Sequence, residues 1–145
     1  MSHRSQPRVF VYGTLKPGGY YWPRFCEGRV VSVAKARVKG RLFALPMGYP
    51  ALATGDGWAW GYLLTLRDTA VLAGFDTLED YDPARSSAEN EYERIKVDVF
   101  LEDGAPAGDA WAYVMDIDKI NGMKGVIISN GDWDVEDPEE LPSLD

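Results

Sequence analysis

Only one long stretch of this chain carries the period of an amphipathic helix; most of the rest alternates like strands. Thr69 to Tyr81 (TAVLAGFDTLEDY) spaces Val71, Leu72, Phe75 and Leu78 for one face of a helix, and Asp68 or Thr69 can cap it. Elsewhere short runs rich in Val, Leu and aromatic residues are bounded by Gly, Pro, Asn and Asp. Such a chain has to bury a sheet against itself and one helix.

The runs can be placed in order. Val9 to Tyr12 is a short buried strand. Tyr20 to Phe25 is aromatic and can form a brief helical turn. Glu27 to Val38 alternates, with Val31, Val33, Ala36 and Val38 expected on buried faces. Gly40 marks a bend or bulge before Arg41 to Leu45. Pro46 to Pro50 reads as loop and Thr54 to Gly57 as a turn. Trp58 to Leu66 is the strongest strand, with Gly61 inside it. Tyr92 to Leu101 and Asp109 to Ile117 are two more. Turns at Asn121-Gly122 and Asn130-Gly131 flank Val126 to Ile128. Five or six strands and one helix give an α+β domain, a curved sheet or small barrel with the helix over one opening. At 145 residues this is one domain, 9–133, with a flexible N-terminus at 1–8 and an acidic tail at 134–145.

Composition narrows the function. A net charge of −8 argues against general nucleic-acid binding, which neutralises phosphates with Lys and Arg. One cysteine, Cys26, allows no internal disulfide, and with the single His3 it cannot build a structural zinc site. No structural metal is therefore expected. No apolar run approaches the length of a membrane-spanning helix and no signal peptide is visible, so the expectation is a cytoplasmic protein without a membrane partner. With 5 Trp, 8 Tyr and 5 Phe, a pocket walled by rings is expected.

Two places carry chemistry. The first is the loop after the opening strand, Tyr12-Gly13-Thr14-Leu15-Lys16-Pro17-Gly18-Gly19. Successive N–H groups in such a turn can form a concave anion site, although a plain hairpin turn has the same composition. It is not a nucleotide loop, because neither G-x-G-x-x-G nor G-x-x-x-x-G-K-[ST] is present. The second is Glu79. With Val71 at zero, Phe75 falls at about 40°, Leu78 at about 340° and Leu72 at about 100° on the helical wheel. Glu79 falls at about 80°, inside that stripe, whereas Asp76 at about 140° lies at its edge and Asp80 at about 180° outside it. A core-facing carboxylate at a helix C-terminus is opposed by desolvation and by the helix dipole, and both tune it toward general-base work. The alternative is a helix that frays before Glu79 and lets the side chain reach water.

Several separated stretches, in order, resemble one known pattern. Val9 to Leu15 (VFVYGTL), Gly48 to Leu52 (GYPAL), Trp60 to Leu63 (WGYL), Phe75 to Tyr81 (FDTLEDY), Tyr92-Glu93-Arg94, Ala110 to Val114 (AWAYV) and Gly131-Asp132-Trp133 are similar to motifs of the gamma-glutamylcyclotransferase-like superfamily, nearest its gamma-glutamylamine cyclotransferase branch. The resemblance implies a mixed-sheet β-barrel with one main helix, no cofactor, and a small gamma-glutamyl molecule as substrate. Its enzymes release 5-oxoproline when the substrate's α-amino group attacks its own γ-carbonyl. It places the catalytic glutamate on Glu79 and assigns Tyr12, Gly13, Thr14 and Leu15 to the substrate's α-carboxylate through backbone N–H groups. Tyr113 and Tyr92 are expected to line the pocket with their hydroxyls, or else to pack as core rings. Three positions depart from the pattern. Tyr62 stands where glutamate is frequent, so that wall of the pocket is expected to differ. Asp80 replaces a glycine, so the helix end is expected to turn differently. Phe75 replaces leucine.

Three readings follow. The chain is an enzyme with Glu79 as general acid/base, or a non-catalytic module that binds carboxylate ligands on the same loop, or a partner protein that works through its acidic tail. Oligomeric state is not legible in the sequence.

Overall fold

Strand β1 (Arg8–Val11) lies between two neighbours of opposite sense, and this mixed pairing sets the architecture. The computed structural model describes residues 6–86 and 89–133. The remaining elements are α1 (Trp22–Phe25), β2 (Val30–Ala44), β3 (Pro50–Leu66), α2 (Thr69–Leu78), β4 (Glu93–Leu101), β5 (Pro106–Val114), α3 (Ile117–Gly122) and β6 (Val126–Ile127). β1 runs antiparallel to β3, with Val9 opposite Leu64, and parallel to β5, with Val9 opposite Trp111. β5 pairs with β4, β4 with β2, and β2 returns to β3, all antiparallel. Five strands thus close a mixed barrel, and β6 adds to the far end of β2.

Alternation along the strands fills two cores. One draws on all five barrel strands and on no helix, including Phe10, Tyr12, Val38, Leu63 and Val99, so it is the barrel interior. Alanines at positions 36, 59, 110 and 112 are buried there too, and in so narrow a barrel these small residues leave room for the rings of Phe10 and Tyr12. The opposite face of β1, Val9 and Val11, meets Leu64, Leu66 and the helix residues Val71, Leu72 and Phe75. Those three helix side chains are buried, each burial stabilising by roughly 1.5–3 kcal/mol. Asp68 caps α2, its Oδ1 accepting the Val71 N–H at 3.2 Å.

Four local expectations change. Thr54 to Gly57 does not end a strand. The register passes from Lys39 opposite Trp58 to Arg41 opposite Ala53, so these residues bulge from one continuous strand opposite Gly40. Val31 and Val33 are not buried; they are 53% and 45% exposed. Val33 lies on the face opposite the barrel-facing Ala36 and Val38, a register shift falls at Val31, and β4 joins β2 only at Ala36–Val38. The strand expected over 109–117 begins at Pro106 and stops at Val114. Asn121 and Gly122 close helix α3, which buries only Ile120 and is too short to show a periodic stripe. Gly61 does mark a close approach: a Cβ there would lie 2.1 Å from the Val11 carbonyl oxygen. Among the described residues no helix is long and apolar enough to cross a membrane. The acidic tail expected at 134–145 lies outside the described residues, as does most of the N-terminal segment.

Candidate active site

Where β1 ends, the chain turns across one opening of the barrel. Tyr12 stays inside: its hydroxyl donates to the Tyr113 carbonyl at 2.7 Å and accepts the Leu52 N–H at 3.3 Å. The loop then folds on itself, with the Lys16 N–H on the Gly13 carbonyl at 3.0 Å and the Tyr21 N–H on the Thr14 carbonyl at 2.9 Å. The Lys16 ammonium is drawn away onto the Trp133 carbonyl and lies 3.5 Å from Asp132. This anchoring ties the loop to the distant Gly131-Asp132-Trp133 segment. The N–H groups of Gly13, Thr14 and Leu15 find no acceptor among the described residues. A run of unpaired N–H groups at a turn can cradle an anion. Gly13 has to be glycine, because a Cβ would sit 2.8 Å from Pro50 Cγ.

Glu79 enters the same space from α2. It is the residue on which the helix ends, its N–H still bonded to the Phe75 carbonyl at 2.9 Å. Asp80 follows at φ +55°, the left-handed conformation that a glycine adopts readily, and the Tyr81 N–H returns to the Asp76 carbonyl at 2.9 Å. The helix therefore ends in a left-handed turn even with aspartate there. Among the described residues no hydrogen-bond donor or ion-pair partner reaches the Glu79 carboxylate. Burial, and secondly the nearby Glu91 carboxylate, push it up to about 8.

Asp76, one turn earlier, is handled in the opposite way. It accepts the Tyr113 hydroxyl at 2.6 Å and lies 3.3 Å from the Arg94 guanidinium. Arg94 stacks in turn over Trp111 and Tyr81. Leu52, Tyr12, Tyr113, Asp76 and Arg94 therefore form one chain of polar contacts joining β3, β1, β5, α2 and β4. The Tyr92 hydroxyl is likewise engaged, donating to the Pro50 carbonyl at 2.8 Å. The phenols of Tyr12, Tyr92 and Tyr113 are held neutral, each raised first by burial. With their protons committed, these hydroxyls can accept from a ligand but not donate to it.

A cavity of about 250 Å³ collects the candidates. Glu79, Tyr12, Gly13, Thr14, Leu15, Tyr92 and Tyr113 all line it. Sequence reasoning missed three polar neighbours: Tyr21, Tyr49 and Glu91. The Tyr49 hydroxyl donates to Glu91 Oε2 at 2.6 Å. Both residues sit in stretches without periodicity, Pro46 to Pro50 and Pro83 to Glu91; the resemblance covers Gly48 to Leu52 but gave Tyr49 no role, and Glu91 carried no signal. Tyr62 does not line the cavity; it packs on the core with Lys35 over its ring, so the departure at that position does not alter the wall. Among the described residues no group of three or more His, Cys, Asp and Glu could hold a metal ion.

Comparison with known proteins agrees with this fold. Curated protein sequences give no match. Among solved structures, an AIG2-like protein of Mus musculus, also labelled ggact, superposes with a TM-score of 0.70 at 20% identity, covering 97% of this chain and 99% of that one. A protein of Arabidopsis thaliana superposes with a TM-score of 0.61 at 23% identity, over 93% and 81% of the two chains. YkqA of Bacillus subtilis gives a TM-score of 0.61 at 24% identity over 88% of this chain, which spans only 39% of the Bacillus protein. At these identities the likeness is one of fold. A family model described as gamma-glutamyl cyclotransferase, AIG2-like, matches residues 9–135, nearly the whole barrel and its site. The chain belongs to the gamma-glutamyl cyclotransferase, AIG2-like family.

Proposed function

We propose that this protein is an enzyme that releases 5-oxoproline from a small γ-glutamyl amine or peptide, with Glu79 as general acid/base. The observation that supports it is a partnerless carboxylate in a cavity whose loop carries unpaired N–H groups. The α-carboxylate of the substrate sits on the N–H groups of Gly13, Thr14 and Leu15. The α-ammonium sits at Glu79, which takes one of its protons. The freed nitrogen attacks the γ-carbonyl carbon, and the ring C–N bond forms as the carbonyl oxygen becomes an oxyanion. Glu79 returns the proton to the departing nitrogen as the old C–N bond breaks. It then takes the extra proton left on the ring nitrogen and passes it to the amine, which departs as an ammonium and leaves Glu79 a carboxylate again. Atoms and charges balance without a metal or cofactor.

Three physical effects drive the reaction. Holding the two ends of one substrate together replaces a costly encounter. An N–H of the same loop that also reaches the γ-carbonyl would steady the oxyanion, more strongly in a partly dry cavity than in water. A carboxyl raised to about 8 has a proton affinity close to that of an amine, so the transfer is nearly balanced in both directions.

The test is 5-oxoproline release from a panel of γ-glutamyl amines and peptides, glutathione included, by the wild type and by Glu79→Gln. Turnover by the wild type, lost in the folded variant, supports the reading. Ligand binding without turnover by the wild type overturns it in favour of a non-catalytic binding module.

A further inference from the structure

We propose that Glu91 is a specificity-determining residue of this site and selects substrates whose departing amine carries a second, cationic group. The inference rests on the reaction proposed above and narrows its substrate class.

Glu79 and Glu91 are the charged side chains that line the cavity, and no Lys, Arg or His does so among the described residues. Glu91 is held from both sides of its backbone. Its N–H donates to the Asp80 carbonyl at 3.2 Å, and its carbonyl accepts from the Lys119 ammonium at 3.3 Å. The preceding Asn90 is 2% exposed and clamps the chain by bonding the N–H and carbonyl of Asp82. The Glu91 side chain is fixed as well: Oε2 accepts the Tyr49 hydroxyl, while Oε1 has no donor among the described residues. Rigid support around one free carboxylate oxygen is the arrangement of a recognition group.

Position decides what it recognises. Glu91 also borders a second groove of about 690 Å³, which Glu93, Asp116 and Lys119 line with it. The ammonium of Lys119 is turned onto the backbone carbonyls of Asn90 and Glu91. Glu91 therefore borders both the reaction cavity and a groove that also holds Glu93 and Asp116. In the proposed reaction the loop takes the α-carboxylate and Glu79 the α-ammonium. What remains of the substrate is its leaving group, and what remains of the charged lining is Glu91. A neutral leaving group would strip water from this carboxylate and give nothing back, and an anionic one would face it directly. A terminal ammonium compensates it.

Three γ-glutamyl amides of matched reach test this, with 1,4-diaminobutane, butylamine and 4-aminobutanoate as leaving amines. The readout is kcat/KM for 5-oxoproline release by the wild type and by Glu91→Gln. The wild type should favour the cationic amide over the neutral one by roughly tenfold, and over the anionic one by more. Glu91→Gln should bring these ratios to within about threefold of one another. A ranking unchanged in Glu91→Gln overturns the assignment. So does loss of all turnover in that variant to the level of Glu79→Gln, which would make Glu91 part of the chemistry. The same ranking is read without turnover, by calorimetric binding of the three amides to Glu79→Gln and to the Glu79→Gln/Glu91→Gln double variant. A flat ranking in the single variant overturns the proposal even if no amide reacts. An intact ranking without 5-oxoproline from the wild type supports it and counts against the reaction alone.

Discussion

Asp76 and Glu79 stand one turn apart on the same helix, and the molecule treats them oppositely. Asp76 faces Arg94 and the Tyr113 hydroxyl, so its charge is matched and it ties the helix to the barrel. Glu79 faces a cavity, receives no donor among the described residues, and has a second carboxylate nearby. The first arrangement serves the fold. The second works against the fold and is what a site waiting for a cationic substrate requires. Asp68, at the other end of the helix, belongs with Asp76, because its carboxylate satisfies the N–H of Val71.

The contrast can be broken most sharply at Glu79. Burial, and secondly the Glu91 carboxylate, push its carboxyl up from the ordinary 4.5 to about 8. The raised value means this group's contribution to stability is whole below pH 4.5 and is lost as the pH rises toward and through 8. Glu79→Gln should therefore lower turnover by roughly 10²–10⁴-fold. It should also raise stability at pH 7 by an order of about 3 kcal/mol and leave it unchanged near pH 4. Denaturant titrations at the two pH values check the sign.

Arg94→Met should move the other way. It leaves Asp76 partly buried beside Tyr113 without its cation, and should destabilise by about 2 kcal/mol. Adding Asp76→Asn should recover part of that loss, and a double-mutant cycle measures the coupling. Asp68→Ala should cost about 1 kcal/mol through the lost cap, with activity retained, since Asp68 does not line the cavity. A smaller shift in melting temperature than for Arg94→Met would agree.

The same helix shows what a sequence can reveal. The stripe of Val71, Leu72 and Phe75 is buried as its spacing predicts, and the cap is Asp68, because residues three and four apart share a face whatever the tertiary context. Glu79 stood out for the same reason. Glu91 and Tyr49 did not, because they meet only through the packing of two aperiodic loops 42 residues apart. The buried faces of β2 were misjudged for a related reason. Val33 shares a face with Lys35 and Arg37, opposite the barrel-facing Ala36 and Val38, and a register shift falls at Val31, so the local alternation does not say which side the barrel covers. The Thr54 to Gly57 bulge resembled a turn because both use glycines, and long-range register distinguishes them. The closed barrel was legible through the resemblance, since alternation alone allowed an open curved sheet as well.

The central claim is that Glu79 is a carboxyl held without a partner until substrate arrives. Its titration can be followed directly by carbon-detected NMR of the side-chain carboxyl in the ligand-free protein, with Glu79→Gln to assign the signal. The account predicts a midpoint near 8, lowered in Glu91→Gln because the second carboxylate helps to raise it. A midpoint at the ordinary 4.5 would mean that the group is solvated and free, and would contradict the account.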